Sequence, residues 1–174
     1  MTVVRSYSDY ASAFALALPL PGGPHLFLFI EGCVERFVSL FGQRCRADIG
    51  AEGYAVIEEA LQHINKATAE RRLIPAPTAY HLQCAVDALP VEDFAYLSSQ
   101  LIEAVAAALR YCIHPSGIHA RVAAEAVINA LDADAIDKYA HYRLEDMFVF
   151  PELSAEWERQ AHSLKHLCQT AGGA

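Results

Sequence analysis

Glu158, His162 and His166 recur at every fourth position, so on a helix one carboxylate and two imidazoles would stack along a single face. Zinc accepts both ligand types, and a fourth group from elsewhere would complete a tetrahedral site. The apolar stripe of the same segment (Leu153, Trp157, Gln160, Ala161, Leu164, Leu167 and Cys168) lies opposite, so a solvated polar face explains the triplet without a metal. No metal and no other cofactor is expected. Asp132, Asp134 and Asp137 resemble the start of a calcium loop, but Asp137 stands where that loop needs Gly and Arg143 where it needs Glu. The expected role of these acids is to open a helix, where negative charge complements the positive end of the dipole.

Glu31 and Glu35 share a helix face as paired acid–base carboxylates would, yet Arg36 adjoins them and Cys33 and Phe37 mark the buried side. His114 and His119 flank Pro115 without the spacing of a zinc protease. No GxSxG, GxxxxGK[ST] or GxGxxG sequence occurs. The five cysteines (Cys33, Cys45, Cys84, Cys112 and Cys168) form no CxxC, and their apolar surroundings read as small buried hydrophobes in a reducing compartment, the cytoplasm. Catalysis is the lesser reading.

These residues must be positioned by helices. Hydrophobic residues make up 54% of the 174 positions, and apolar residues recur with helical period along the chain. The first stripe is Tyr7, Tyr10, Ala11, Phe14 and Leu18, ended by Pro19, Pro21 and Pro24. A second helix is predicted over 25–47, and a third is striped by Tyr54, Ile57, Leu61 and Ile64, with Gly50 and Gly53 at its start. Pro75 and Pro77 precede a short helix near 78–88. A long alanine-rich helix follows Pro90, with Phe94, Leu97, Leu101, Val105, Ala108 and Cys112 on one face. Another helix runs from Ser116 to about Ala130, and the last begins at Pro151, a residue suited to the first helical position. Met147 to Phe150 is the single β-prone run. The expected fold is all-α, a single-domain bundle of six to eight helices over 1–174, with 171–174 as a frayed tail.

Three stretches resemble a bacterial family of unknown function, represented by the YjaG protein and known as domain-of-unknown-function family four hundred and sixteen. They are Cys33-Val-Glu-Arg-Phe37 with Phe41, Arg44-Cys45 and Ala60-Leu61-Gln-His-Ile64; Glu92-Asp93-Phe94 with Ile102 to Leu109; and Phe150-Pro151 through Trp157 to Leu167. The order matches over about two-thirds of the chain, though Val38-Ser39 stands where the family tends to have Tyr-Pro. The resemblance implies an all-helical fold and no established activity, substrate or cofactor.

Charge narrows the partners. Thirteen basic against twenty-one acidic residues give a formal net charge of −8, and no basic run exceeds Arg71-Arg72, which argues against nucleic acid. No apolar run reaches the ~18 residues of a membrane span, and the N-terminal segment reads as an ordinary amphipathic helix in a soluble, unprocessed protein. The expectation is a non-catalytic cytoplasmic protein that acts by binding another protein, in its concrete form a neutralising or immunity-type protein for a basic toxin. Glu58, Glu59, Asp132, Asp134 and Asp137 are the candidate contacts, and self-association into a homo-oligomer stays open. The alternative is a regulatory or small-ligand-binding protein with a pocket rimmed by Tyr80, His81, Tyr111 and His114.

Overall fold

Pro24 opens the longest helix because its missing N–H is one that no first turn can use and its fixed φ already suits a helix. In a computed structural model that describes residues 6–17, 23–143 and 146–171, the elements are α1 (Tyr7–Ala17), α2 (Pro24–Ala69), α3 (Ala76–Asp87), a 3-10 turn (Val91–Asp93), α4 (Tyr96–Ile113), α5 (Gly117–Lys138) and α6 (Pro151–Ala171). The fold is all-α, with no strand among the described residues. None of the described helices is long and apolar enough to cross a membrane. Leu18 and residues 172–174 lie outside the described residues, while Ala171 belongs to α6.

The chain forms two compact units, one of residues 22–127 and one of 1–21 with 128–174. In the first, α4 packs against α2 and α3. Its buried alanines, Ala104 and Ala106 to Ala108, let neighbouring backbones come close. Gly50 interrupts α2 with φ of 78° and ψ of 168°, a conformation that costs a residue with a Cβ. The break thus separates two helical segments at the residue where the sequence predicts it, and the stripe Phe37, Phe41, Ile57 and Ile64 is buried. Just before the kink, the Asp48 carboxylate accepts the Ala95 N–H at 2.9 Å and so caps the entrance of α4 from a distance. Phe94, expected on the α4 stripe, lies outside that helix in an extended conformation after the 3-10 turn.

At its other end α2 closes on Arg71, which takes the left-handed conformation at φ of 51°. The Arg71 N–H reaches the Thr68 carbonyl at 2.9 Å and the Arg72 N–H reaches that of Ala67 at 3.0 Å. This is the paired-bond cap that usually employs glycine. The start of α2 is held by the buried Tyr111, whose hydroxyl accepts the Gly23 N–H at 2.9 Å and donates to the Gly23 carbonyl at 3.0 Å.

In the second unit α1 packs against α6. Tyr10, Phe14, Leu153, Trp157, Ala161 and Leu164 are buried there, and the Tyr10 and Trp157 rings meet edge to face at 4.2 Å. Phe148 stacks on the Trp157 indole at 5.2 Å. Trp157 therefore packs as its stripe predicts, and its buried indole N–H meets no hydrogen-bond partner. Glu156 beside it is 2% exposed and clasped by Arg159 at 2.5–3.0 Å.

Candidate partner-binding site

Asp132, Asp134 and Asp137 do not open a helix. Between Ile118 and Phe150 the sequence holds neither Gly nor Pro, so nothing stops the alanine-rich helix at residue 130 and α5 continues to Lys138. The three acids occupy its last turns, where the helix dipole disfavours negative charge. Local partners offset that cost. The Lys138 ammonium lies 2.6 Å from the Asp134 carboxylate one turn back, and the Tyr142 hydroxyl donates to Asp132.

The connection from α5 to α6 folds around Asp146. The Asp146 side chain accepts the Arg143 N–H at 3.2 Å, and the Asp146 carbonyl accepts the N–H groups of Val149 and Phe150 at 2.9 and 2.8 Å. These turns, together with the Ser154 N–H donating to the Phe150 carbonyl at 2.8 Å, deliver the chain to Pro151. The β-prone Met147 to Phe150 is spent on turns, and no strand among the described residues offers it a ladder.

A cavity of about 450 Å³ opens here, lined by residues 138–142, Asp146 and 149–151. Phe150 stands between two tyrosines. Its ring centre is 5.0 Å from that of Tyr139 at 62° and 5.0 Å from that of Tyr142 at 72°. The Tyr139 hydroxyl reaches the Glu152 carboxylate at 3.4 Å. Burial, the hydrogen bond to Asp132 and the charges of Asp132 and Asp146 hold the Tyr142 phenol well above its ordinary pKa. The surrounding surface is apolar as well as acidic: Val149 is 75% exposed, Ile136 58% and Tyr139 43%. Ile136 ends the exposed side of α5, and Tyr139 follows the helix directly, its N–H still bonded to the Ala135 carbonyl at 2.9 Å.

The other sequence candidates are scattered. Glu158 is half-buried on α6 while His162 and His166 are exposed, and among the described residues no three His, Cys, Asp or Glu are grouped to hold a metal ion. In the 22–127 unit Glu58 pairs with Arg46 at 3.0 Å, and Glu59 is exposed. The proposed rim of Tyr80, His81, Tyr111 and His114 does not form: Tyr111 is sealed against Gly23, whereas the other three face solvent. Burial first and Glu35 second raise the Glu31 pKa. Burial lowers that of His119, with Arg110 and His114 adding to the effect.

Sequence reasoning missed Tyr139, Tyr142, Asp146, Val149 and Phe150. The available signal was the concentration of aromatic residues in a stretch that had to leave one helix and reach Pro151. The chain matches no protein-family model, no curated protein and no solved structure.

Proposed function

We propose that this protein is a non-catalytic binding module that receives a basic partner protein at the α5–α6 connection. One observation carries the reading. Exposed Val149, Tyr139 and Ile136 adjoin a concave, aromatic-lined surface among the carboxylates of Asp137, Asp146 and Glu152. A few anchors, tyrosine prominent among them, supply most of the energy of a protein interface, and complementary charge speeds encounter and rejects wrong partners. The net charge of −8 favours a cationic partner. In its most concrete form the protein occludes a basic toxic enzyme, acting as a neutralising or immunity-type protein.

A photoreactive amino acid placed at position 149 tests this in the native host. The expected product is one basic protein, crosslinked less as salt is raised and lost when Tyr139→Arg reverses the local chemistry. The same probe at Glu59 serves as the control. No adduct at 149, or the same adducts at both positions, would defeat the proposal.

A second reading, a small-ligand protein, is favoured by the cavity volume of about 450 Å³, which falls within the ordinary range for ligand pockets. Its test is a thermal-shift screen of metabolites, in which a true ligand raises the melting temperature with concentration.

A further inference from the structure

The cavity at the α5–α6 connection has a chemistry more specific than apolar. Three aromatic residues line it, and Phe150 packs at 62° and 72° to the two tyrosine rings, so the ring planes differ in direction along one cavity. Each face carries the negative part of an aromatic quadrupole. The Tyr142 hydroxyl donates to the Asp132 carboxylate, which pushes electron density back into its ring and strengthens that face for a cation. Asp146 brings a full negative charge to the wall.

The one cation in the lining does not cancel this. Lys138 is already engaged by Asp134 at 2.6 Å, so a carboxylate meets its charge. Among the described residues from 132 to 152, five carboxylates (Asp132, Asp134, Asp137, Asp146 and Glu152) stand against two cations, Lys138 and Arg143. Aromatic side chains lining one cavity beside a carboxylate suit an alkylammonium group, whose methylenes pack on the rings while the charged head meets the π systems and the acid.

We infer that the cavity seats a lysine side chain of the partner, its ammonium group held by Tyr139, Tyr142, Phe150 and Asp146. This rests on the protein-binding reading and names the residue type that the site recognises.

The test uses acetyl-Gly-Lys-Gly-amide and its norleucine counterpart, titrated into the full chain while backbone amide signals are followed by NMR. The lysine peptide is expected to move the amides of Tyr139, Tyr142 and Phe150 and to bind about tenfold more tightly than norleucine. Asp146→Asn keeps an acceptor for the Arg143 N–H but removes the charge, and it is expected to erase most of that preference. Equal binding of lysine and norleucine, tighter binding of an arginine peptide, or shifts confined to residues outside 138–151 would overturn the inference. An undiminished preference in Asp146→Asn would overturn the role of that carboxylate. Loss of the lysine preference with the Val149 crosslink retained removes the ammonium seat alone; loss of that crosslink removes the protein-binding reading.

Discussion

The Tyr10 hydroxyl donates to Gln160 Oε1 at 2.6 Å, linking α1 to α6 across 150 positions of sequence. The same glutamine donates through Nε2 to Glu156 Oε1 at 2.9 Å, and Arg159 reaches both oxygens of that carboxylate. A buried carboxylate is tolerable only when matched in this way. The chain of contacts fixes the rotation of α6 and so the position at which the α5–α6 connection arrives.

Two substitutions separate the polar and apolar parts of this junction. Tyr10→Phe keeps the ring against Trp157 and removes only the hydroxyl, at an expected cost of about 1 kcal/mol. Trp157→Ala removes a side chain 2% exposed and should cost about 3–5 kcal/mol. Urea unfolding followed by circular dichroism measures both. An unchanged midpoint for Trp157→Ala would defeat the packing assignment and point to a contact residue instead.

The positive-φ positions within α2 and just beyond its end give opposite expectations. Gly50 has open space around a would-be Cβ but a φ of 78°, so Gly50→Ala should destabilise by about 1–2 kcal/mol through backbone strain alone. Arg71 already bears that strain at φ of 51°, and Arg71→Gly should stabilise by up to about 1 kcal/mol. Thermal melts of the two variants check the signs, and a stabilised Gly50→Ala would contradict the kink.

Burial pushes the Cys112 thiol up to about 11, partly offset by a backbone hydrogen bond with Ile74. The folded state therefore resists the thiolate more than the unfolded chain does. The contribution of the neutral thiol is fully present below the unfolded pKa and is lost as pH rises toward 11. Over that window the loss is about 2–3 kcal/mol. Cys112→Ala should flatten the alkaline decline in stability between pH 9 and 11, apart from its own packing cost at all pH values. An unaltered slope would show that Cys112 does not titrate there.

Helices were legible in the sequence wherever a stripe met a breaker. Pro24 and Pro151 both sit at observed helix starts, and the α4 and α6 faces bury Leu101, Val105, Trp157 and Leu164. The reading failed at the end of α5, where three aspartates suggested a cap although no glycine or proline made the helix stop. Side-chain preference for a terminus is a weak signal beside an uninterrupted run of good helix formers. The site was hidden for a related reason. Tyr139, Tyr142 and Phe150 are brought together by turns around Asp146, and turns carry no periodicity from which neighbours can be read. The buried Glu156 was equally obscure, since only its partners Arg159 and Gln160 make burial tolerable.

Trp157 is the sole tryptophan, and its indole N–H is buried without a hydrogen-bond partner beside Tyr10 and Phe148. An indole shielded from water emits at short wavelength, and the nearby phenol of Tyr10 feeds it excitation. Its fluorescence consequently belongs to the unit made by residues 1–21 and 128–174. Far-ultraviolet dichroism, by contrast, is weighted toward the long α2, α3 and α4 of residues 22–127. The wild-type protein thus carries an intrinsic optical label on one unit, and the separation between the two melting curves measures the cooperativity of its folding directly.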